Sequence, residues 1–588
     1  MQVGGKQVCI TRNAETLLRR LRHPHCPRRI WIDGICINQD DPDERAHQVS
    51  LMHSIFSHAS TVLIWVGESD SHTDAVLRFF TLVDQRRLNS HHQEEQQPKE
   101  QPKEQPKAKY DDLIEHERDN FSRIRAFADR PWFHRAWTFQ EACLSPDSQL
   151  LCGHHKLPWR IFVSATLWLT SSGMSSVFGD TADTIAALAH FAAANPSHQP
   201  AHLSTVLPLT RNLRATDPRD KVFSFLGMVD RTDLPPLIPS YTLSVAEVYT
   251  RTARAMITQE RGLSALSGVY GPHRSSDRNL PSWVPDWRLP RATAYLHGFD
   301  WPSPTHLYHI NNGAPFANSV HISSDAGSDD PSILKLTGAQ IDVVESICNP
   351  KALLAHVAKL PLQGPVPPSS KTLEDWRVGL EKTVDKTAKT LRLRGRHMPY
   401  HQTEEDYARA LMRTLTADRG GVGEKGMGDW RMDLGHDSLV TPTCRWWSGG
   451  LRGGEEESRE TNTLLSMKRL ASAMWTFLTA RTVFATKGGL IGIAGEGIKV
   501  RDEVWDIVGG EVPFVLRRTN AKRQGKETEQ RVVIGEAYVH GIMKGGLWAA
   551  DLEKNAASES ESSTWRSSLT PREKTAGKDL NFKDVELI

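Results

Sequence analysis

The most informative run of apolar and polar positions lies between Arg28 and Glu68. Ile30-Trp31-Ile32 is a short apolar run closed by Asp33, and a loop follows over Gly34–Asp40. Asp41 is then a good helix N-cap, with Pro42 at the first helical position and Glu44 three residues after the cap. Val49, Met52, Phe56 and Ala59 recur at helical spacing, and a second apolar run, Val62–Val66, ends in Gly67. Strand, capped helix and strand predict one right-handed βαβ unit with parallel strands. Both strands are apolar throughout, as strands covered on two faces should be. Chemistry in such a sheet sits beyond the carboxyl ends of the strands, here Asp33 to Gln39 and Gly67-Glu68.

Elsewhere the period changes repeatedly. Gln2–Val8 predicts a hairpin around Gly4-Gly5, and a basic helix follows over Ala14–Arg22. Thr73–Arg87 reads as a helix with Val76, Phe79, Phe80 and Val83 inward. From Leu88 to Lys109 the composition is almost wholly His, Gln, Glu, Pro and Lys, which offers no apolar surface to offset ordering entropy and predicts a disordered insertion. Tyr110–Arg130 is a charged helix, and Pro146–Pro208 reads as mostly helical. Further helices are expected over Val245–Gln259, Trp376–Thr390, Glu404–Leu415 and Thr463–Thr479. LPSWVPDW (Leu280–Trp287) reads as an extended connector packed by aromatic rings. Ser332–Ser346 holds a strand, a Gly turn and a second strand or helix. After residue 480 the pattern shortens to strands with Gly-rich turns: Val483–Ala485, Leu490–Ile493, Glu503–Val508, Phe514–Leu516, Arg531–Ile534 and Glu536–Val539. They predict a small β-barrel or sandwich. The residues after Asp551 read as a disordered tail.

The expected fold class is therefore α/β, with a parallel sheet at the N-terminus, then a mostly helical middle region and a small β-rich C-terminal domain. The boundaries fall at 1–145, 146–300, 301–480, 481–550 and 551–588. A length of 588 residues requires several domains, and a net charge of +2 gives no global case for nucleic acid or an anionic membrane. No apolar run is long enough for a membrane helix, and Met1–Arg12 lacks the apolar core of a signal peptide. Seven scattered cysteines without a CxxC pair argue for a reducing compartment, and against a disulfide framework or zinc module.

Candidate chemistry concentrates in Arg130–Ser145, RPWFHRAWTFQEACLS. Pro131 ends one helix and the next begins near Phe133, so Trp137 and Glu141, four apart, share a face and set a carboxylate beside an indole. The alternative is that Trp132, Phe133 and Trp137 are core and Glu141 pairs with Arg135. Cys152, His154 and His155 are too close together for a metal site. Asp217, Arg219 and Asp220 read as a solvated cap and ion-pair cluster. GGLIGIAGEG (Gly488–Gly497) reads as hairpin turns rather than a phosphate loop.

Five blocks in order resemble the heterokaryon incompatibility (HET) domain proteins of filamentous fungi. They are WIDGICINQDDPDERAHQVSLM with VLIWVGE, RPWFHRAWTFQEA, ATDPRDKVFSFLGM, LPSWVPDW, and VPFVLRR with IGEAYVHGIM. The motif residues are Trp31, Asp33, Cys36, Asn38 and Gln39 in the first block, and Trp132, Arg135, Trp137, Gln140 and Glu141 in the second. The resemblance covers Met1–Ser145 as the domain proper and extends to about Gly546. That family usually starts with an ALSYxWG-like strand and this chain starts after it, so the domain is expected to be N-terminally short.

The resemblance implies a flavodoxin- or TIR-like fold for the HET domain. It also implies a cytoplasmic protein of non-self recognition that triggers cell death through self-association with protein partners; separately, the dispersed basic residues argue against nucleic acid, and no cofactor or metal is evident. The alternative it implies is a TIR-like enzyme with NAD as substrate, cleaving the nicotinamide–ribose bond. Glu141 would then be the catalytic carboxylate, with Asp33 lining the same cleft, because a fixed carboxylate stabilises the developing oxocarbenium charge.

Overall fold

The computed structural model describes residues 2–95, 120–194, 201–229, 237–259, 262–296, 330–360, 370–393, 407–417, 467–543 and 582–588, apart from isolated positions within these spans. They fall into two compact units, one within Met1–Val248 and one within Tyr249–Ile588.

In the N-terminal unit the expected hairpin forms, β1 (Gln2–Val3) against β2 (Lys6–Gln7). Helix α1 (Arg12–Leu21) follows, its start capped by the Thr11 side chain accepting from the Ala14 N–H. The run Ile30–Ile32 is not a strand. Its backbone is extended, with Ile32 at φ −140° and ψ 123°, but Ile30 is 38% exposed and no described strand lies beside it. The chain turns at once into a single helical turn, α2 (Asp33–Cys36). Helix α3 (Pro42–Ser57) is capped as expected, the Asp41 carboxylate accepting from the Asp43 and Glu44 N–H groups. Glu44 reaches past the cap and accepts from the Asn38 N–H at 3.0 Å, which fixes the loop instead.

Strand β3 (Val62–Trp65) does have a parallel neighbour, but it is β4 (Ser148–Cys152), in the register Val62↔Ser148 to Trp65↔Leu151. β4 then forms an antiparallel hairpin with β5 (His155–Pro158) through Gly153, at φ +57°. The sheet is thus three-stranded and mixed, in the order β3-β4-β5. This corrects the all-parallel, TIR-like sheet; residues 146–208 are mostly helical as expected, apart from β4 and β5 at their start. Leu150, Leu151 and Cys152 are an apolar run too short to separate strand from buried helix by period alone.

Helix α4 runs from Thr73 to Glu95, so the start of the polar stretch is helical; residues 96–119 lie outside the described residues. α5 (Thr138–Cys143), α6 (Trp159–Ser171) and α7 (Ala182–Ala194) complete the principal helices. Phe80 and Phe133 pack on Phe162 at ring separations of 4.9 and 5.6 Å, so α4, α6 and the 131–134 turn share one aromatic core.

The second unit contains helices Ser370–Thr390 and Tyr407–Leu415 and a β-barrel. Trp283 and Trp287 are buried as expected, in a chain of turns rather than an extended connector. β6 is one 15-residue strand, Leu334–Cys348, not strand-turn-strand, because Gly338 sits inside the ladder. A Cβ there would meet the Asp506 carbonyl oxygen at 2.7 Å, so this glycine is a close approach rather than a turn. β7 (Arg481–Thr486), β8 (Ile491–Gly495), β9 (Glu503–Ile507) and β10 (Phe514–Arg523) follow. The two expected strands 531–534 and 536–539 are one, β11 (Lys526–Val539). β12 (Phe582–Leu587) comes from the stretch read as a disordered tail. Val585 and Leu587 alternate over too short a run, and the partner β6 is remote in sequence, so the local pattern hid the strand.

The order is β10-β9-β6-β12-β11-β8-β7, with β10–β11 and β6–β7 also paired, which closes the wall. β6 and β11 are long because each serves different neighbours along its length. Ile341, Phe484, Val504, Val515, Ile534 and Val539 meet inside. Barrel closure removes exposed strand edges.

Candidate functional site

The carboxyl end of β3, where a parallel sheet would place its chemistry, is occupied by a clamp. Arg130 donates to the carbonyls of Val66 and Glu68 at 3.1 and 2.8 Å and to the Asp70 carboxylate at 2.7 Å. Glu68 is paired with Arg20 from α1, whose hydrogen bond holds its carboxyl below the usual range. Gly67, at φ +105°, makes the turn that delivers these groups. The residues are taken up in holding the turn, α1 and the 131 segment together.

The first motif block shapes a loop. Trp31 packs edge-on against Phe56 of α3 at 5.7 Å, and the Asp33 carboxylate accepts from the Gly34 N–H at 2.7 Å. Gln39 donates to the Asp33 carbonyl at 3.4 Å, and Asn38 accepts from the Asp40 N–H at 3.3 Å. Cys36, Asn38 and Gln39 are exposed.

The second block is built differently from its helical spacing. Pro131–His134 is a tight 3-10 turn that buries Trp132 and Phe133, and α5 starts only after Trp137. Trp137 is the N-cap of that helix, with helical dihedrals. Its indole N–H donates to Asp220 at 3.2 Å, while the indole beside Glu141 is that of Trp132, which donates at 3.1 Å. Burial raises the Glu141 carboxyl above the usual range. The Arg135 charge and the Trp132 hydrogen bond oppose that rise, and the Asp33 charge adds to it. The Arg135 and Asp33 charges thus both act on Glu141, in opposite directions. Such a carboxyl stays protonated to higher pH than an exposed one and suits proton donation.

Gln140 is fully buried and donates to the Ser224 carbonyl at 2.6 Å. Gly227 lies against the same side chain; a Cβ there would come within 3.1 Å of the Gln140 amide and 3.2 Å of His53. His53 in turn contacts the Gly227 carbonyl at 2.5 Å. Two elements the sequence reading missed complete this lock. Arg45 of α3 bridges to Asp217 at 2.8 Å and lies over the Tyr241 ring, 3.2 Å from its centroid. Tyr241 donates its hydroxyl to Asp220 at 2.6 Å. Asp217 and Arg219 do form the expected ion pair, but they and Asp220 are partly buried rather than solvated. Arg219 grips Asp217 and the carbonyls of Tyr241 and Leu243, and burial raises the Asp220 carboxyl above the usual range. Tyr241, three residues beyond Ile238 in the Pro-rich run LPPLIPSY, gave no periodic signal.

Residues 1–141 match the family model described as heterokaryon incompatibility protein (HET). The chain carries a HET domain. Residues 458–556 match the Het-6 β-barrel domain model, which covers most of the barrel seen here. The chain is 24% identical, over 92% of its length and 85% of the relative's, to heterokaryon incompatibility protein 6, OR allele, of Neurospora crassa. No solved structure matches it. The HET match ends before β4, yet Trp137 and Gln140 of the HET domain are bound by residues 220–227 beyond it. No helix among the described residues is long and apolar enough to cross a membrane.

Proposed function

We propose that this protein acts in fungal heterokaryon incompatibility as a signalling protein, its HET domain self-associating to trigger cell death. The observation that carries this reading is how the HET motif is used. Trp137 and Gln140 are consumed in binding the Asp220–Gly227 segment, and the Asp33–Gln39 loop is shaped by its own hydrogen bonds and exposes Cys36, Asn38 and Gln39. A motif that builds a scaffold and presents a loop suits partner contact. The likeness to heterokaryon incompatibility protein 6 over most of the chain supports the same process.

One observation favours a second reading, cleavage of NAD at the nicotinamide–ribose bond: Glu141 is a carboxyl held above its usual range beside Asp33 and Arg135. The two are separated by expressing the full chain and its Glu141→Gln variant in a filamentous fungus, scoring death by vital dye. The purified proteins are then incubated with NAD at high protein concentration and assayed for free nicotinamide. Death that survives Glu141→Gln, without nicotinamide release, is the expected result. Release abolished together with killing by this variant establishes the enzyme. Absence of killing in every strain background overturns the incompatibility reading.

A further inference from the structure

We propose that Arg135 and Arg214 form a two-armed site for a phosphate-bearing small molecule, a diphosphate by preference. The site goes beyond both readings above, since it requires neither a death signal nor bond cleavage.

The backbone brings the two arginines together. Arg135 and Arg214 face each other in an isolated parallel bridge. Arg214 donates its N–H to the His134 carbonyl at 2.5 Å, and its own carbonyl accepts from the Ala136 N–H at 2.9 Å. Both segments are braced. The Arg135 carbonyl accepts from the Thr138 hydroxyl at 2.7 Å, and the Leu213 carbonyl accepts from the buried Lys221 ammonium. Residues opposite each other on adjacent strands stand about 5 Å apart and project to one face.

Both side chains are exposed, and among the described residues neither makes a hydrogen bond or ion pair. Two nearby acids are engaged elsewhere. Glu141, on which the Arg135 charge acts, accepts from the Trp132 indole. Asp129, which acts on His134 as Arg214 does, accepts from the Thr181 hydroxyl at 3.1 Å. Like charges set opposite each other on neighbouring strands are destabilising, and an anion between them turns the repulsion into attraction.

The donor set selects the ligand. Each guanidinium presents parallel N–H donors that grip two acceptor oxygens. A carboxylate has only two oxygens and is filled by one fork. A diphosphate offers oxygens to both forks and carries charge enough for both arms. A net charge of +2 supplies no wider field for a polymer of phosphates. An anion held here also offsets the Arg135 charge, which opposes the rise of the Glu141 carboxyl. Occupancy is thereby felt at the candidate site.

The test is isothermal titration calorimetry of the full chain with inorganic pyrophosphate, ADP and citrate. Near-ultraviolet circular dichroism confirms the fold of each variant. The native chain is expected to bind pyrophosphate and ADP at one site, about tenfold or more tighter than citrate. R135Q and R214Q should each weaken both phosphate ligands by about tenfold or more. R135K and R214K, which keep the charge and lose the fork, should fall between. ADP bound more tightly than pyrophosphate identifies a nucleotide, and equal binding a free diphosphate. No saturable binding of either at millimolar concentration, equal affinity for citrate, or indifference to either glutamine variant overturns the site. Killing and nicotinamide release are read separately, so failure here leaves the readings above to their own assays.

Discussion

Trp137 donates its indole N–H to Asp220 across more than 80 residues of sequence, although its spacing pointed it at Glu141. Asp220 also accepts the Tyr241 hydroxyl, so one carboxylate joins the HET domain to two later segments. Asp220→Ala strands both donors in a partly buried site. It should cost about 2 kcal/mol, while Asp220→Asn, which keeps an acceptor, costs about half as much. Denaturant unfolding of the full chain, followed by tryptophan fluorescence, reads the difference in midpoint.

Arg45 gives a second test of the same lock. Its guanidinium lies over Tyr241 and bonds Asp217, a role a lysine fills only in charge. Arg45→Lys should cost about 1 kcal/mol and Arg45→Ala about 2 kcal/mol. Hydrogen exchange should show the loss concentrated in α3 and residues 217–228. Equal protection in the lysine variant and the native chain would show that the stacking contributes nothing.

The barrel carries its own pH dependence. Burial pushes the Glu503 carboxyl up, but hydrogen bonds from Arg531, Trp505 and Arg518 outweigh it and hold the group below the usual range. A lowered folded value means that Glu503 stabilises the barrel above the ordinary carboxylate pKa of about 4.3. That contribution disappears as the pH falls through the lowered value. Melting curves from neutral to strongly acid pH should show this loss. Glu503→Gln should flatten it, at a cost of about 3 kcal/mol near neutrality, because Arg531, 1% exposed, loses its close carboxylate and keeps only the longer contact to Glu529 at 3.5 Å.

Gly492 in β8 is a packing constraint. A Cβ there would lie 2.5 Å from the Tyr538 carbonyl oxygen and closer still to the Phe484 ring. Gly492→Ala should destabilise the barrel by about 2–3 kcal/mol, read as a lower melting temperature of that unit, since strand backbone cannot move away without breaking the β7–β8 and β8–β11 ladders.

Local signals carried far in the sequence. Asp41, Pro42 and the Val49–Met52 face specified α3, and the Gly-rich spacing announced β7 to β10, because caps, turns and short periods act within a few residues. Partnership was not legible. Nothing near Val62 says that its parallel neighbour is Ser148 rather than Ile30, and Phe582–Leu587 shows its role only beside β6. At the site, Asp33 and Glu141 were singled out as candidates by their blocks. Tyr241 and Asp220 were not, since a buried polar network is defined by which groups meet, not by their spacing.

The barrel wall pairs Leu336 with Val585. During synthesis, at roughly 5–20 residues per second, β6 leaves the ribosome on the order of tens of seconds before its neighbour β12 exists. The HET domain and residues 211–228 are already complete by then and free to fold in order of appearance. β6 meanwhile waits with a bare flank, so this is the strand a chaperone has most reason to hold, and a chain released early would be left with an unclosed, adhesive edge.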